Sequence, residues 1–221
     1  MSGKLNLLKI FNALEEEVYC VIKKSLIFPQ YEMGDDVDIF CYSKDKITEL
    51  ILFELKEWVG DKQIKLHTED YQNHLDIIVD GKIYFRFDIY QKLPQYKKVL
   101  VKDAFFSSVI ENSKKELVKV PNEIDEMILR YLEYQEYYAD RPDKIKHIDY
   151  IKEYLSDDNK KQFFDKLHYY TSVPPITYEV VKHSLLREMY KYLQMKFTIL
   201  QNSIKSYGLK ETCRKIIERL K

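Results

Sequence analysis

Glycine is scarce in this chain, with five in 221 residues, and that scarcity excludes the glycine-rich phosphate loops and dinucleotide fingerprints that need close backbone approach. No Gly-x-Ser-x-Gly elbow and no His-Glu-x-x-His pair occurs, which removes the commonest hydrolase and metalloprotease readings. Cysteine is also sparse. Cys20, Cys41 and Cys213 are odd in number and lack metal-type spacing; Cys20 and Cys41 lie in apolar runs and are expected to be buried thiols in a reducing compartment. No apolar run reaches the length of a membrane span, and the opening MSGKLNLLKIF lacks a cleavage pattern, so a cytoplasmic location is expected. Net charge is absent too: 36 basic residues balance 36 acidic ones. That balance argues against a dedicated nucleic-acid binder, which needs a basic surplus, while leaving room for a local basic pocket.

What is present is ordinary globular material, 45% hydrophobic and 33% charged, with no internal repeat. The periodicity changes near Lys97. Before it, an amphipathic helix is predicted over Leu5–Glu16, with Leu5, Leu8, Phe11 and Leu14 on one face. Strands follow over Val18–Ile22 and Asp36–Tyr42, then a helix from a Ser43 cap to about Trp58, stopped by Gly60. Gln63–Thr68 reads as a strand, and His74–Val79 and Ile83–Tyr90 flank Asp80-Gly81 as a hairpin. After Lys97 the spacing is helical: one helix entered by Pro121 and running to Tyr138, one from Asp143 to Leu155, one over Asn159–Tyr170, a long one from Thr177 to a stop at Gly208, and a tail over Leu209–Leu220. The predicted class is α+β: a mixed sheet with flanking helices over residues 1–96, then a helical bundle over 97–221.

The stretch Gly34-Asp35-Asp36-Val37-Asp38-Ile39-Phe40 crowds three carboxylates onto the start of an apolar strand. Like charges that close repel, so a cation, a metal or solvent must offset them. Strand parity sorts them: Val37, Ile39 and Cys41 share one face, Asp36, Asp38 and Phe40 the other, and Asp35 is left to serve the loop. The later strand repeats the pattern, with Ile83, Phe85, Phe87 and Ile89 opposite Tyr84, Arg86, Asp88 and Tyr90. Pairing the two strands with polar faces aligned would gather Asp36, Asp38 and Asp88. Such a trio of hard oxygen donors suits Mg²⁺ (or Mn²⁺), and two ions there would organise in-line attack at a nucleotide phosphorus. Asp76 competes for the third place; Asp88 is preferred for its longer strand and for Arg86 two residues away. Read blandly, Asp-x-Asp merely solvates the entry of a strand.

The order of these elements resembles the nucleotidyltransferase superfamily with the DNA polymerase β-like palm, over roughly residues 17–91. That family's pattern is a strand, a Gly-Ser turn, about a dozen residues, Asp-h-Asp-h (h, hydrophobic), and a third acid on a later strand. The resemblance implies that Asp36 and Asp38 bind metal and that Asp88 completes the catalytic set and helps to activate the acceptor. Where the family has Gly-Ser, this chain has Lys24-Ser25, so nucleotide contact falls to Ser25 and to Lys23 or Lys24. More narrowly, VIKKSLIFPQYEMGDDVDIF, FRFDIYQKL and RPDKIKHIDYI look like stand-alone nucleotidyltransferase-like proteins of bacterial surface-polysaccharide gene clusters. An NTP and a small-molecule or glycan acceptor are the implied partners. The altered turn keeps a second reading open: a catalytically silent module of the same fold, antitoxin-like or an assembly partner.

Five further residues have two readings each. Arg86 is either a counter-ion to the acids or a phosphate contact. Lys144 and His147, at the start of a helix, reach for triphosphate or, as the favoured reading has it, form a solvated helix start. Phe40 and Tyr90 are more often core than base-stacking platforms.

Overall fold

The computed structural model describes residues 4–25, 27–59 and 63–172, all within one compact unit, Met1–Val173. The helices expected from Thr177 and over Leu209–Leu220, and Cys213, lie outside the described residues. Those described form an α+β fold with a five-stranded mixed sheet, a small two-stranded ribbon and six α-helices. None of these helices is long and apolar enough to cross a membrane.

Helix α1, Leu7–Ala13, is shorter than its periodicity predicted. The Asn6 side chain caps it by accepting the Lys9 N–H at 3.1 Å, and Leu7, Ile10 and Phe11 are its buried residues rather than Leu8. Strand β1, Tyr19–Ile22, pairs antiparallel with β2, Asp35–Cys41. Helix α2, Lys44–Val59, leads to β3, Gln63–Thr68, and β4, Gln72–Val79. Strand β5, Lys82–Tyr90, follows the Asp80-Gly81 turn, whose residues have φ of +50° and +73°. Both central residues being left-handed is the geometry that matches strand twist and that Asp-Gly favours.

The order in the sheet is β1-β2-β5-β4-β3. All neighbours are antiparallel except β2 and β5, which pair in parallel at its centre. One face is mainly apolar: Val21, Val37, Ile39, Leu75, Ile77, Phe85, Phe87 and Ile89 form a core with residues of α1 and α2 such as Phe11, Leu14, Ile51 and Leu55, and the buried Asn73 on the same face bonds to Lys44 and Thr48 of α2. The alternation read from the sequence therefore holds on both central strands, except that Ile83, beyond an irregularity at Ile77/Ile78, is exposed.

The boundary expected near Lys97 falls in the segment between β5 and α3, Ala104–Glu111. Helix α3 was not foreseen. It packs on β1 and β2, with Phe106 against Phe40 at 4.8 Å, so Phe40 is core, as expected. The ribbon of β6, Lys114–Lys115, and β7, Lys119–Val120, was also missed, because two-residue strands carry no period. Helix α4, Glu123–Tyr137, is capped by Asn122, whose side chain accepts the Asp125 N–H at 3.0 Å; Pro121 precedes the cap instead of opening the helix. The predicted helix from Asp143 is a 3-10 turn, Pro142–Ile145, running into α5, Lys146–Tyr154. Helices α5 and α6, Lys160–Tyr170, both pack on α4.

Candidate functional site

The parallel register of β2 with β5 sets Asp36 opposite Arg86, Asp38 opposite Asp88, and Phe40 opposite Tyr90. The register of β4 extends these rows, with Asp76 beside Arg86 and His74 beside Asp88, and β3 adds Lys65 and His67. Two rows thus cross the polar face: Asp36–Arg86–Asp76–Lys65, alternating in sign, and Asp38–Asp88–His74–His67, with two acids and then two imidazoles. The first row is self-compensating. Arg86 grips Asp76 with Nε at 2.5 Å and Nη2 at 3.0 Å, a bidentate fork. Its Nε lies 4.0 Å from Asp88.

The second row is not compensated within the sheet. Asp88 is 8% exposed, and burial pushes its carboxyl up to about 6, with the Asp38 charge adding to the rise. His74 Nδ1 at 2.6 Å from Asp88 Oδ1 works the other way, and burial outweighs it. Asp36 is exposed at the strand entry, yet partial loss of hydration and then the Asp38 charge raise its carboxyl as well. Burial likewise pushes the Tyr90 phenol well up, reinforced by Asp38 and Asp88.

The cation that meets Asp38 comes from outside the sheet. Lys23, the first residue after β1, places Nζ 3.0 Å from Asp38 Oδ2 and 3.2 Å from Glu133 Oε1 of α4. Burial pulls this ammonium down, but the Asp38 and Glu133 charges outweigh it and hold it well above the ordinary lysine value. Its backbone is left-handed, φ +51°, a conformation that costs a non-glycine residue roughly 1 kcal/mol. The Lys23 N–H donates to Glu126 Oε2 at 3.1 Å, which anchors that conformation to α4.

Lys144 is the other cation of the cluster. The solvated helix start expected for it is corrected: Lys144 is 13% exposed, with Nζ 2.9 Å from Glu133 Oε2. Glu133 therefore bridges two lysines through its two oxygens, and the lysines' charges hold its carboxyl below its usual range against the cost of burial. His147 is 4% exposed and neither ring nitrogen has a hydrogen-bond partner among the described residues.

Asp35 serves the loop, as parity required, accepting the Glu32 N–H at 2.7 Å. Lys24 and Ser25 lie between two hollows. A small one of about 30 Å³ lies between them and Asp36 and Asp38. A larger one of about 340 Å³ opens on their other side, walled by Glu126, Arg130 and Tyr150. In it Lys24 Nζ pairs with Glu116 Oε2 at 2.8 Å, and the Arg130 guanidinium lies 4.1 Å from the Tyr150 ring centre.

The structure brings Asp36, Asp38, Asp88, Arg86 and Lys144 to one face, with Lys24 and Ser25 at its edge. Sequence reasoning passed over Glu126, Glu133 and His74. Glu126 and Glu133 are seven residues apart and so share a helix face, but with Glu123, Asp125 and Glu136 on the same helix that spacing did not single them out. His74 was readable from the parity of β4 once its register to Asp88 was known.

As metal donors, the carboxylates are chemically apt: Asp36, Asp38 and Asp88 are hard oxygen donors on one face of the sheet. Among the described residues, however, no three His, Cys, Asp or Glu side chains converge closely enough to hold an ion, and Lys23 supplies the charge at Asp38. Compared with family models, curated proteins and solved structures, the chain matches none.

Proposed function

We propose that this protein is a metal-dependent nucleotidyltransferase of the DNA polymerase β-like superfamily, moving a nucleoside monophosphate from an NTP to a hydroxyl or phosphate acceptor. The observation that carries the reading is the parallel register that faces Asp38 to Asp88 with Asp36 on the same side. Asp36, Asp38 and Asp88 would hold Mg²⁺ or Mn²⁺. Bound there, the ion supplies Lewis acidity that lowers the acceptor's pKa and neutralises the departing pyrophosphate. The chain's own part is to position. Lys24 and Ser25 line both hollows, and the 340 Å³ of the larger is enough for the body of a nucleotide. Lys144 and Lys23 add positive charge for triphosphate. Asp88 helps to draw off the acceptor's proton as its oxygen bonds to the α-phosphorus and the bond to pyrophosphate breaks. The helices described between residues 97 and 172 are read as part of a bundle appended to the palm, and a glycan-building acceptor as the substrate class.

A second reading is favoured by the Lys23–Asp38 ion pair. A chain that supplies its own cation fits a silent binding module of the same fold. Labelled NTPs with Mg²⁺ or Mn²⁺ and candidate sugar phosphates separate the two. Transfer by the wild type that falls at least about 100-fold in Asp36→Asn and Asp38→Asn supports the enzyme. Wild type and variants that behave alike in nucleotide binding and turnover sink it.

A further inference from the structure

The lysine after β1 carries an inference of its own, resting on the metal-dependent reading above. We propose that Lys23 is a tethered counter-cation that competes with the divalent ion for Asp38, and that Glu133 is the berth to which it withdraws.

The geometry makes the exchange inexpensive. Lys23 Nζ touches Asp38 and Glu133 together, at 3.0 and 3.2 Å, so leaving Asp38 does not strand a buried ammonium without a partner. Stranding it is what makes breaking most buried ion pairs costly. Glu133 is kept charged by Lys144 on its other oxygen at 2.9 Å, and is therefore ready to receive Lys23. The backbone needs no rearrangement: the Lys23 N–H stays on Glu126, and only the side chain moves. Electroneutrality gives the motive. With Lys23 on Asp38, the acids of the central row have one ammonium, His74 and, 4.0 Å from Asp88, the Arg86 guanidinium; a divalent ion would replace the single charge of Lys23 by a double one beside Asp36, Asp38 and Asp88.

The site would then have two charge-balanced states. In the resting one, Lys23 holds Asp38 and offsets part of the repulsion along the carboxylate row. In the loaded one, Lys23 lies with Glu133, at the edge of the small hollow that Lys24 and Ser25 also line.

The test is Mn²⁺ binding to the full chain without nucleotide, read by the free-ion electron paramagnetic resonance signal. Lys23→Met is expected to bind Mn²⁺ about tenfold or more tightly than wild type. Lys114→Met makes the same change in net charge at an exposed pair with Glu116, and is expected to shift affinity less than about twofold. Glu133→Gln, which removes the berth, is expected to weaken binding. Equal gains in Lys23→Met and Lys114→Met would reduce the effect to net charge and overturn the proposal. So would a wild type that binds Mn²⁺ as tightly as Lys23→Met, with nucleotidyl transfer left standing. Binding by neither protein defeats the metal-dependent reading and this proposal together, while binding by Lys23→Met alone would mean that Lys23 blocks Asp38 without ever withdrawing, which overturns the exchange and favours the silent module. Should Lys23→Met fail to fold by circular dichroism, ¹³C-dimethyl-lysine NMR of the wild type decides: Mg²⁺ must shift the Lys23 resonance, and no shift at saturation rejects the exchange.

Discussion

Asp38 and Asp88 are register partners on adjacent parallel strands, two carboxylates facing the same side of one sheet. Each is steadied from elsewhere: Asp38 by Lys23 after β1 and Asp88 by His74 on β4. The pair is a standing repulsion inside the fold, and its removal has a measurable sign.

Asp88→Asn is expected to stabilise the protein by about 1 kcal/mol in chelator-treated buffer at neutral pH, because it deletes one of two opposed charges and keeps an acceptor for His74. The same variant is expected to lose nucleotidyl transfer. Urea midpoints and turnover, measured side by side, check both; a destabilised Asp88→Asn would mean that the charged contact with His74 outweighs the repulsion.

Glu126 accepts from the Lys23 N–H and, through its other oxygen at 2.6 Å, from Arg130 Nε. Glu126→Ala removes both and leaves a left-handed lysine without its anchor. A loss of about 2–3 kcal/mol is expected, together with faster hydrogen exchange at the Lys23 amide than at the Val21 amide within β1.

His147 should make stability depend on pH. Burial, and then the charges of Lys144 and Arg130, pull its imidazole from 6.5 to about 3; Glu133 opposes and Lys23 adds to the fall. The unfolded chain binds a proton below 6.5 while the folded chain refuses it until about 3. Stability is therefore whole above 6.5 and lost as pH drops through that window, by up to about 1.4 kcal/mol per unit. His147→Leu removes the refused proton and two unpartnered ring nitrogens. Its urea midpoint is expected to exceed wild type most at pH 4 to 5 and least above pH 7. A difference that does not change with pH refutes this account.

Cys20 and Cys41 are fully buried free thiols. Burial pushes Cys41 up to about 12 and Cys20 well up, leaving little thiolate at neutral pH. In a Cys213→Ser background, neither is expected to react with a thiol reagent faster than the protein unfolds, which a reagent-concentration series reads directly.

The sequence carried the site's rows better than its surroundings. Alternation marks β2 and β5 along most of their length because one face of each packs on the helices, so the sharing of a face by Asp36, Asp38 and Asp88 followed from parity once the two strands were paired. Lys23 was only one of two lysines named for the turn, since a contact across more than a hundred residues to Glu133 leaves no local pattern. Lys144 misled for the related reason that a lysine at a helix start is usually solvated; here Glu133 draws it inward. Helix α3 and the β6–β7 ribbon were missed because eight residues and two pairs are too short for periodicity to mark.

The parallel pairing of β2 with β5 has a consequence in time as well as in space. Strands β3, β4 and β5 are successive hairpin neighbours that can zip locally, whereas β2 must wait for α2 and two strands to be threaded before it meets β5. Pairings of that sequence separation form late, since loop closure must precede their reward. The carboxylate row thus comes into being near the end of folding. Until then Asp38 and Asp88 are strangers, and the chain folds without having to confront the charge it will finally gather.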